Sequence, residues 1–409
     1  MRGFKLNPNT QRKLQRFRSI KRGYYSFLAL VFLVALALLG PWLVNNRALV
    51  VRYEGHLYFP TLGAILPGTT FGLGYEYETD YRTLQKRFAD EKSTGLAKGN
   101  WVLMPPIPFN GTEVCEVYGT LEQRDGAYLL DGVPYADGQA LRRDDEGRLL
   151  PVGRILNGKL QGGEAPKGSP LLCFLPYPNS PGVSGHILGT DESGHDILAR
   201  LFYGFRILCA ASAIYLGLTY LIGIIIGCAM GYFGGWFDIC TQRLIEIWAN
   251  IPHLYLIIFL SSLLIPSLFW LMLIIVAFSW ITLTYYTRTG TYREKGRDYV
   301  AAARLLGASN TRIIFRHILP NTLSTVITFV PFMVAAVVFQ LTALDFLGFG
   351  LPPTEPTWGE ILRQGTENFD SPWILSSVVA CLVIVLVLTT FVGEAIREAF
   401  DPKKFTTYQ

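Results

Sequence analysis

Six apolar runs, none containing Asp, Glu, Lys or Arg, constrain this chain more than any other feature: Tyr24–Val44, Ile207–Met230, Ile247–Ile265, Ser267–Thr287, Ile318–Leu344 and Trp373–Val392. A hydrocarbon core of about 30 Å takes roughly 20 helical residues to cross. Lipid offers no water to a backbone N–H, so single runs of this length predict helices. A barrel would show shorter, alternating segments. Composition agrees: 50% of the 409 residues are hydrophobic and 16% charged, where a soluble domain carries about 25% charge. A soluble globular protein and a disordered chain are both excluded. The expected fold is an all-α transmembrane bundle of six spans, with a β-rich region between spans 1 and 2.

The first run follows a basic segment, as a signal peptide would. It is too long for one, however, and no small-residue cleavage site follows it, so an uncleaved anchor is expected. Orientation follows from Lys and Arg near the spans. Residues 1–23 hold eight of them, from Arg2 to Arg22, and no acid. They are expected to be a cytoplasmic tail, with both termini inside. The 288–317 stretch, with Arg288, Arg293, Lys295, Arg297, Arg304, Arg312 and Arg316, falls inside too, as does the tail 394–409 with Arg397, Lys403 and Lys404. The acidic loop 345–372 falls outside, as does the long region 45–206. The five-span core is then 207–393.

Within 45–206, alternation around Val51, Tyr53, Leu57 and Phe59 predicts short strands. Further on, Asp131-Gly132 and Asp137-Gly138 between apolar residues read as hairpin turns. At 188–206, Ser193 followed by Asp196 reads as a capping box. Ile197, Leu198, Leu201, Phe202 and Phe205 then share one face, predicting a short amphipathic helix on the outer membrane surface. Asp191, His195 and Asp196 are read as cap and surface polarity, not as metal ligands. Six cysteines are present. Four of them, Cys209, Cys228, Cys240 and Cys381, lie in or beside spans. Cys115 and Cys173 flank the segment 112–174. A bridge between them would close that segment as a lobe; the alternative is two thiols buried in a β-core.

Several chemistries are missing. There is no G-x-x-x-x-G-K-[ST], no H-E-x-x-H and no G-x-S-x-G. The scarcity of ionisable residues inside the runs argues against a proton relay. Basic residues sit beside apolar segments and form no stripe of their own, which argues against nucleic acid as a partner. Arg243 and Glu246, at the start of the third run, read as snorkelling groups. Asn250 and His253 beside Pro252 read either as lining a translocation path or as interhelical hydrogen-bonding residues.

The stretch 298–321 is the most informative. Tyr299, Ala302, Ala303 and Leu306 fall on one helical face. Gly307 is placed to end that helix in the left-handed conformation, and Ser309 to cap the next one. Pro320 sits at the mouth of the fifth run. A small, Ala-rich face suits docking into a partner's groove.

This stretch resembles the coupling loop of ABC-importer permeases, E-A-A-x-x-x-G with an I-x-L-P ending. Ala302, Ala303, Gly307, Leu319 and Pro320 match; Ala301 stands at the Glu position and His317 at the first Ile position. Leu188-Gly-Thr-Asp191, Gly231-Tyr-Phe-Gly-Gly-Trp-Phe-Asp238 and Leu344-Asp-Phe-Leu-Gly-Phe-Gly350 also resemble the peptide branch of that family. With Arg22-Gly-Tyr-Tyr25 and the Val51–Pro60 stretch, the chain is most similar to the YejE-type permeases, over about 1–110 and 176–405. Residues 112–174 look like an insertion. The resemblance implies a non-catalytic inner-membrane subunit that moves peptides by alternating access. Its implied partners are a second homologous permease, two ATPase domains that bind ATP and Mg, a periplasmic substrate-binding protein and membrane lipid. No cofactor is implied in this chain. The implied coupling residues are Tyr299, Ala301, Ala302, Ala303, Arg304, Gly307, Leu319 and Pro320. Rival readings are an importer of a nickel chelate or oligosaccharide, and a channel or sensor with an outer lobe.

Overall fold

The computed structural model describes residues 8–93, 99–116, 118–124, 127–130, 133–134, 137–143, 149–156, 159–161, 171–175, 177–263 and 267–400. The chain divides into two compact units. One comprises Met1–Leu38, Gly204–Arg363 and Val378–Gln409, the other Leu39–Tyr203 and Gln364–Ser377.

The first unit is helical. Among the described residues five helices are long and apolar enough to cross a membrane: Lys21–Leu38, Ile197–Phe233, Leu268–Lys295, Asn310–Phe346 and Pro372–Phe400. A sixth span exists only if Gly235–Ala249 and His253–Leu263, bent by 70° at their junction, count as one. The expected third span, Ile247–Ile265, therefore starts inside one helix and continues in another. Pro252 supplies the reason, since it has no N–H to donate and disfavours helical geometry at the residue before it. Asn250 ends the first of the two helices and its Nδ2 donates back to Glu246 O at 2.7 Å. Pro266 lies outside the described residues. The next helix opens on Ser267, whose hydroxyl accepts from Trp270 N at 3.4 Å.

Two of these helices meet through glycine. Gly227 and Gly231 of Ile197–Phe233 face Leu268–Lys295 so closely that a Cβ would lie 2.6 Å from Thr284 O and from Arg288 O, respectively. Spacing small residues four apart lets membrane helices approach backbone to backbone. Beside this contact Arg288 donates to both carboxylate oxygens of Asp238, each at 2.6 Å.

The second unit carries the strands. β1 (Val50–Tyr53), β2 (His56–Tyr58) and β3 (Trp101–Leu103) form a sheet of order β2-β1-β3. Its hairpin turns through Glu54 and Gly55, both at positive φ, the geometry that matches strand twist. Helix Tyr81–Ser93 covers this sheet, and Val51, Phe71, Tyr81, Leu84 and Phe88 form the core beneath. The other strands are β4 (Tyr118–Arg124), β5 (Ala127–Leu130), β6 (Val133–Pro134), β7 (Asp137–Arg143), β8 (Leu149–Leu156), β9 (Lys159–Gln161) and β10 (Leu171–Phe174). They form one antiparallel sheet of order β6-β5-β4-β10-β7-β8-β9. Leu130 pairs with Val133; Asp131-Gly132, expected as a hairpin turn, lies outside the described residues. Asp137 and Gly138 are not a turn: they open β7 and pair with Leu156 and Ile155.

The expected capping box at 193–196 is corrected. Asp196 is the cap, its Oδ1 accepting from Ala199 N at 2.7 Å, while Ser193 N donates to Asp191 Oδ1 at 2.9 Å. The expected separate surface helix is also absent. Residues 197–206 are the first turns of the 37-residue helix Ile197–Phe233: no Pro stands at the junction with the span, and Gly204 continues the helix, packed against Trp358. Asp191 collects a buried network that sequence proximity did not reveal. Arg200 Nη1 donates to its Oδ2 at 2.5 Å, and His195 N donates to its Oδ1 at 2.8 Å. Burial would raise the Asp191 carboxyl, but the His195 hydrogen bonds and the Arg200 charge outweigh it and hold it below the usual range. Asp196 Oδ2 lies 2.8 Å from His186 Nδ1, whose ring stacks on Phe109. The 364–377 segment joins this unit through Asn368 Nδ2, which donates to Glu192 Oε2 at 2.8 Å, and Trp373 Nε1, which donates to Thr190 O at 3.4 Å.

The cysteine bridge is corrected as well. Cys173 faces Gly119 across the β4–β10 pairing and sits in the core of the larger sheet with Leu121, Ala140 and Ile155. Cys115 packs elsewhere, with Val44, Phe109 and Ala199. Both are buried thiols in separate cores, as the alternative reading had it. Burial, with the Glu113 charge adding to it, pushes the Cys115 thiol up to about 12, so it stays protonated and unreactive at neutral pH. Alkylation without reductant should label neither residue in the native protein and both after denaturation. A Cys115–Cys173 linked peptide in a non-reducing digest would contradict this.

Candidate functional site

The 298–321 stretch is built as two helical pieces around a break. Helix Asp298–Leu305 ends at Gly307, whose φ is +76°. No atom lies within 4 Å of where a Cβ would stand, so backbone conformation alone calls for glycine there. Gly307 N donates to Arg304 O at 3.0 Å and Ala308 N to Ala303 O at 3.1 Å, the paired bonds of a Schellman cap. Ser309 then opens the next piece, its hydroxyl accepting from Arg312 N at 3.4 Å. Asn310–Arg312 runs through a π-helical turn, Ile313–Ile318, into helix Leu319–Val326. Pro320, whose ring and missing N–H disrupt the helical ladder four residues back, follows that turn directly. The widened turn is the local adjustment that keeps the helix continuous. A 3₁₀ turn at Ile327–Phe329 precedes Pro331 in the same way.

The loop is fastened underneath. Val300, Ala303, Ile313, Ile314 and Ile318 bury themselves against Cys228 and Tyr232 at the end of helix Ile197–Phe233. Of the face expected to dock into a partner's groove, Tyr299, Ala302 and Leu306 are exposed. Ala303, the fourth residue of that face, is buried together with Val300, because the helix is held by its one-turn spacing 300–303. Ala301, Ala302 and Arg304 are exposed, and Leu305 and Leu306 are 89% and 88% exposed, an apolar tip next to the cap. Leu319 is half-buried and Pro320 exposed.

Tyr232 is the residue that sequence reasoning missed as an individual, although its Gly231–Asp238 motif stood out. Its hydroxyl donates to Asn310 Oδ1 at 2.8 Å, while Arg304 Nη2 donates to that hydroxyl at 3.4 Å and lays its guanidinium 5.7 Å from the ring centre. One side chain therefore ties both halves of the broken helix to a membrane-spanning one. Tyr299 makes a second tie. Its hydroxyl donates to Glu294 Oε2 at 2.8 Å and accepts from Asn321 Nδ2 at 3.1 Å. Burial, then the hydrogen bond to Glu294, raises the Tyr299 phenol, which keeps its proton available for that bond.

Asn250 and His253 stand at the junction of the bent helix pair, both exposed. The His253 ring lies 6.4 Å from Phe278, on which Trp248 also stacks. Arg243 Nη1 pairs with Glu246 Oε2 at 2.6 Å one turn earlier. Among the described residues no cluster of His, Cys, Asp or Glu has the arrangement of a metal site.

Several apolar helices with a Gly-capped helical loop between two of them make a multi-pass membrane protein, and the comparisons with known proteins give its class. The chain belongs to the family of ABC-importer permeases. Residues 223–406 match the family described as "Binding-protein-dependent transport system inner membrane component". The chain is 34% identical to the peptidoglycan transport system permease YejE of Agrobacterium fabrum, over 97% of this chain and 94% of that one. It is also 34% identical to the inner membrane ABC transporter permease YejE of Escherichia coli, over 98% and 99%. The dipeptide transport system permease DppC of Haemophilus influenzae is 35% identical over 54% of this chain and 76% of that one. The chain is a multi-pass permease subunit of an ABC importer.

Proposed function

We propose that this permease moves peptides or peptide-like compounds across the bacterial inner membrane by alternating access, powered by separate ATPase subunits. The relatives named above, permeases for peptidoglycan and dipeptide transport, support that substrate class over a nickel chelate or an oligosaccharide. A periplasmic binding protein delivers the substrate, a second homologous permease completes the pathway, and ATP with Mg binds in the partner ATPase domains. Asn250 and His253, at the bend of a broken helix, are the proposed pathway residues.

The observation that carries the mechanism is the Schellman-capped lever at 298–320 with its exposed Leu305–Leu306 tip. A stiff element fastened to the spans and apolar at its free end is what a partner's groove needs to move the bundle between two states. Ala301, Ala302 and Arg304 face outward beside that tip; Ala303, Leu319 and Pro320 shape the way it joins the fifth span.

In the proposed topology residues 1–23, 288–317 and the C-terminal tail are cytoplasmic, and 45–206 and 345–372 periplasmic. The bonds from Asn368 and Trp373 to Glu192 and Thr190 support a common side for the last two. Reporter fusions after residues 150 and 300 should report opposite sides of the membrane; the same side at both would end the topology. Gly307→Val should leave membrane insertion intact but abolish substrate-stimulated ATPase activity of the assembled complex. A β-branched residue at positive φ costs about 1–2 kcal/mol, enough to shift the lever out of its cap. Normal stimulation in the variant would refute the lever.

A further inference from the structure

A cavity of about 510 Å³ opens within the helical unit, bounded by helix Pro8–Ser19, the end of Leu268–Lys295, the start of Leu319–Val326 and Phe400. Arg12, Lys13 and Arg293 line it, with the donor groups of Asn321 and Thr325 and a single carboxylate, Glu294. That carboxylate already accepts from Tyr299 and is shared between Arg297 at 3.9 Å and Arg293 at 4.0 Å, so it offsets at most part of the charge of the three cations. Among the described residues no acidic side chain pairs with Arg12 or Lys13. The cavity is therefore rich in cations and donors and poor in acceptors, the character of an anion site.

The basic side chains are held over the cavity by packing. Phe17, on the same short helix, is buried against Ala395 and Ala399, and Lys13 Nζ sits 4.6 Å from the Phe400 ring centre. The positive-inside rule accounts for basic residues at this end of the spans, but not for a cavity between them. The helix that follows, Lys21–Leu38, exposes Tyr25, Leu28 and Phe32 as an apolar surface on which acyl chains can lie. We propose that this cavity binds the phosphate headgroup of an anionic phospholipid from the adjoining leaflet. Basic pockets between membrane helices recognise such headgroups. Occupancy has a structural consequence, because Glu294 and Asn321, which line the cavity, also hold the Tyr299 hydroxyl. A headgroup engaging Arg293 and Asn321 fixes that triad and restrains helix Asp298–Leu305. This is independent of what the helix docks against.

The test uses the full-length chain in nanodiscs of phosphatidylcholine, alone or with phosphatidylglycerol, read by native mass spectrometry and hydrogen exchange. The wild type should retain phosphatidylglycerol selectively, and amides 298–305 should exchange more slowly when it is present. Arg12→Gln/Lys13→Gln/Arg293→Gln should lower retention roughly tenfold or more and abolish the exchange effect. Arg12→Lys/Arg293→Lys, which keeps the charges, should behave as wild type and so separates lost charge from a lost fold. Equal retention by the wild type and the Gln variant would overturn the site. Displacement of the lipid by inorganic phosphate alone would overturn the lipid reading in favour of a free anion.

Discussion

A backbone amide in hydrocarbon must find its partner within the protein, and four departures from regular helix in or beside the described spans show how backbone groups find theirs. At Pro252 the helix stops and Asn250 turns back to cap it. At Pro320 the ladder widens into a π turn, and before Pro331 it tightens into a 3₁₀ turn. At Gly307 it ends in two reversed backbone bonds. Only the last of these leaves an exposed apolar tip, and it is there that the proposed mechanism places its contact with an ATPase.

The tip is positioned by what lies beneath it. Two glycines on helix Ile197–Phe233 let helix Leu268–Lys295 approach to backbone distance. Tyr232, one residue beyond the second of them, then reaches Asn310 and Arg304 on either side of the break. In the proposed mechanism a push on the loop acts on two spans together, since the buried 300–303 spacing and the isoleucines at 313, 314 and 318 leave no slack between lever and bundle.

The spans were legible in the sequence because each is a long apolar run, and Gly307 and Ser309 because cap chemistry is local. The third span was not, since hydropathy registers Pro252 as one residue in a window whereas the backbone registers it as a bend. The separate surface helix failed for the complementary reason: amphipathic spacing at 197–206 carries no signal that the helix should stop. The Arg200–Asp191 pair was hidden because nine residues separate partners that one turn of chain brings together. The cysteines misled because flanking positions in sequence were taken for neighbours in space, while the sheet order puts Cys173 between β4 and β7 and leaves Cys115 in another core.

The central claim is that the Leu305–Leu306 tip seats in a groove of an ATPase subunit. A photo-crosslinking amino acid placed at Leu305 in the purified complex measures this directly. The account predicts an adduct between this chain and the ATPase subunit, absent when the label is moved to the buried position Val300. Adducts with lipid alone, or none with the ATPase, would contradict it.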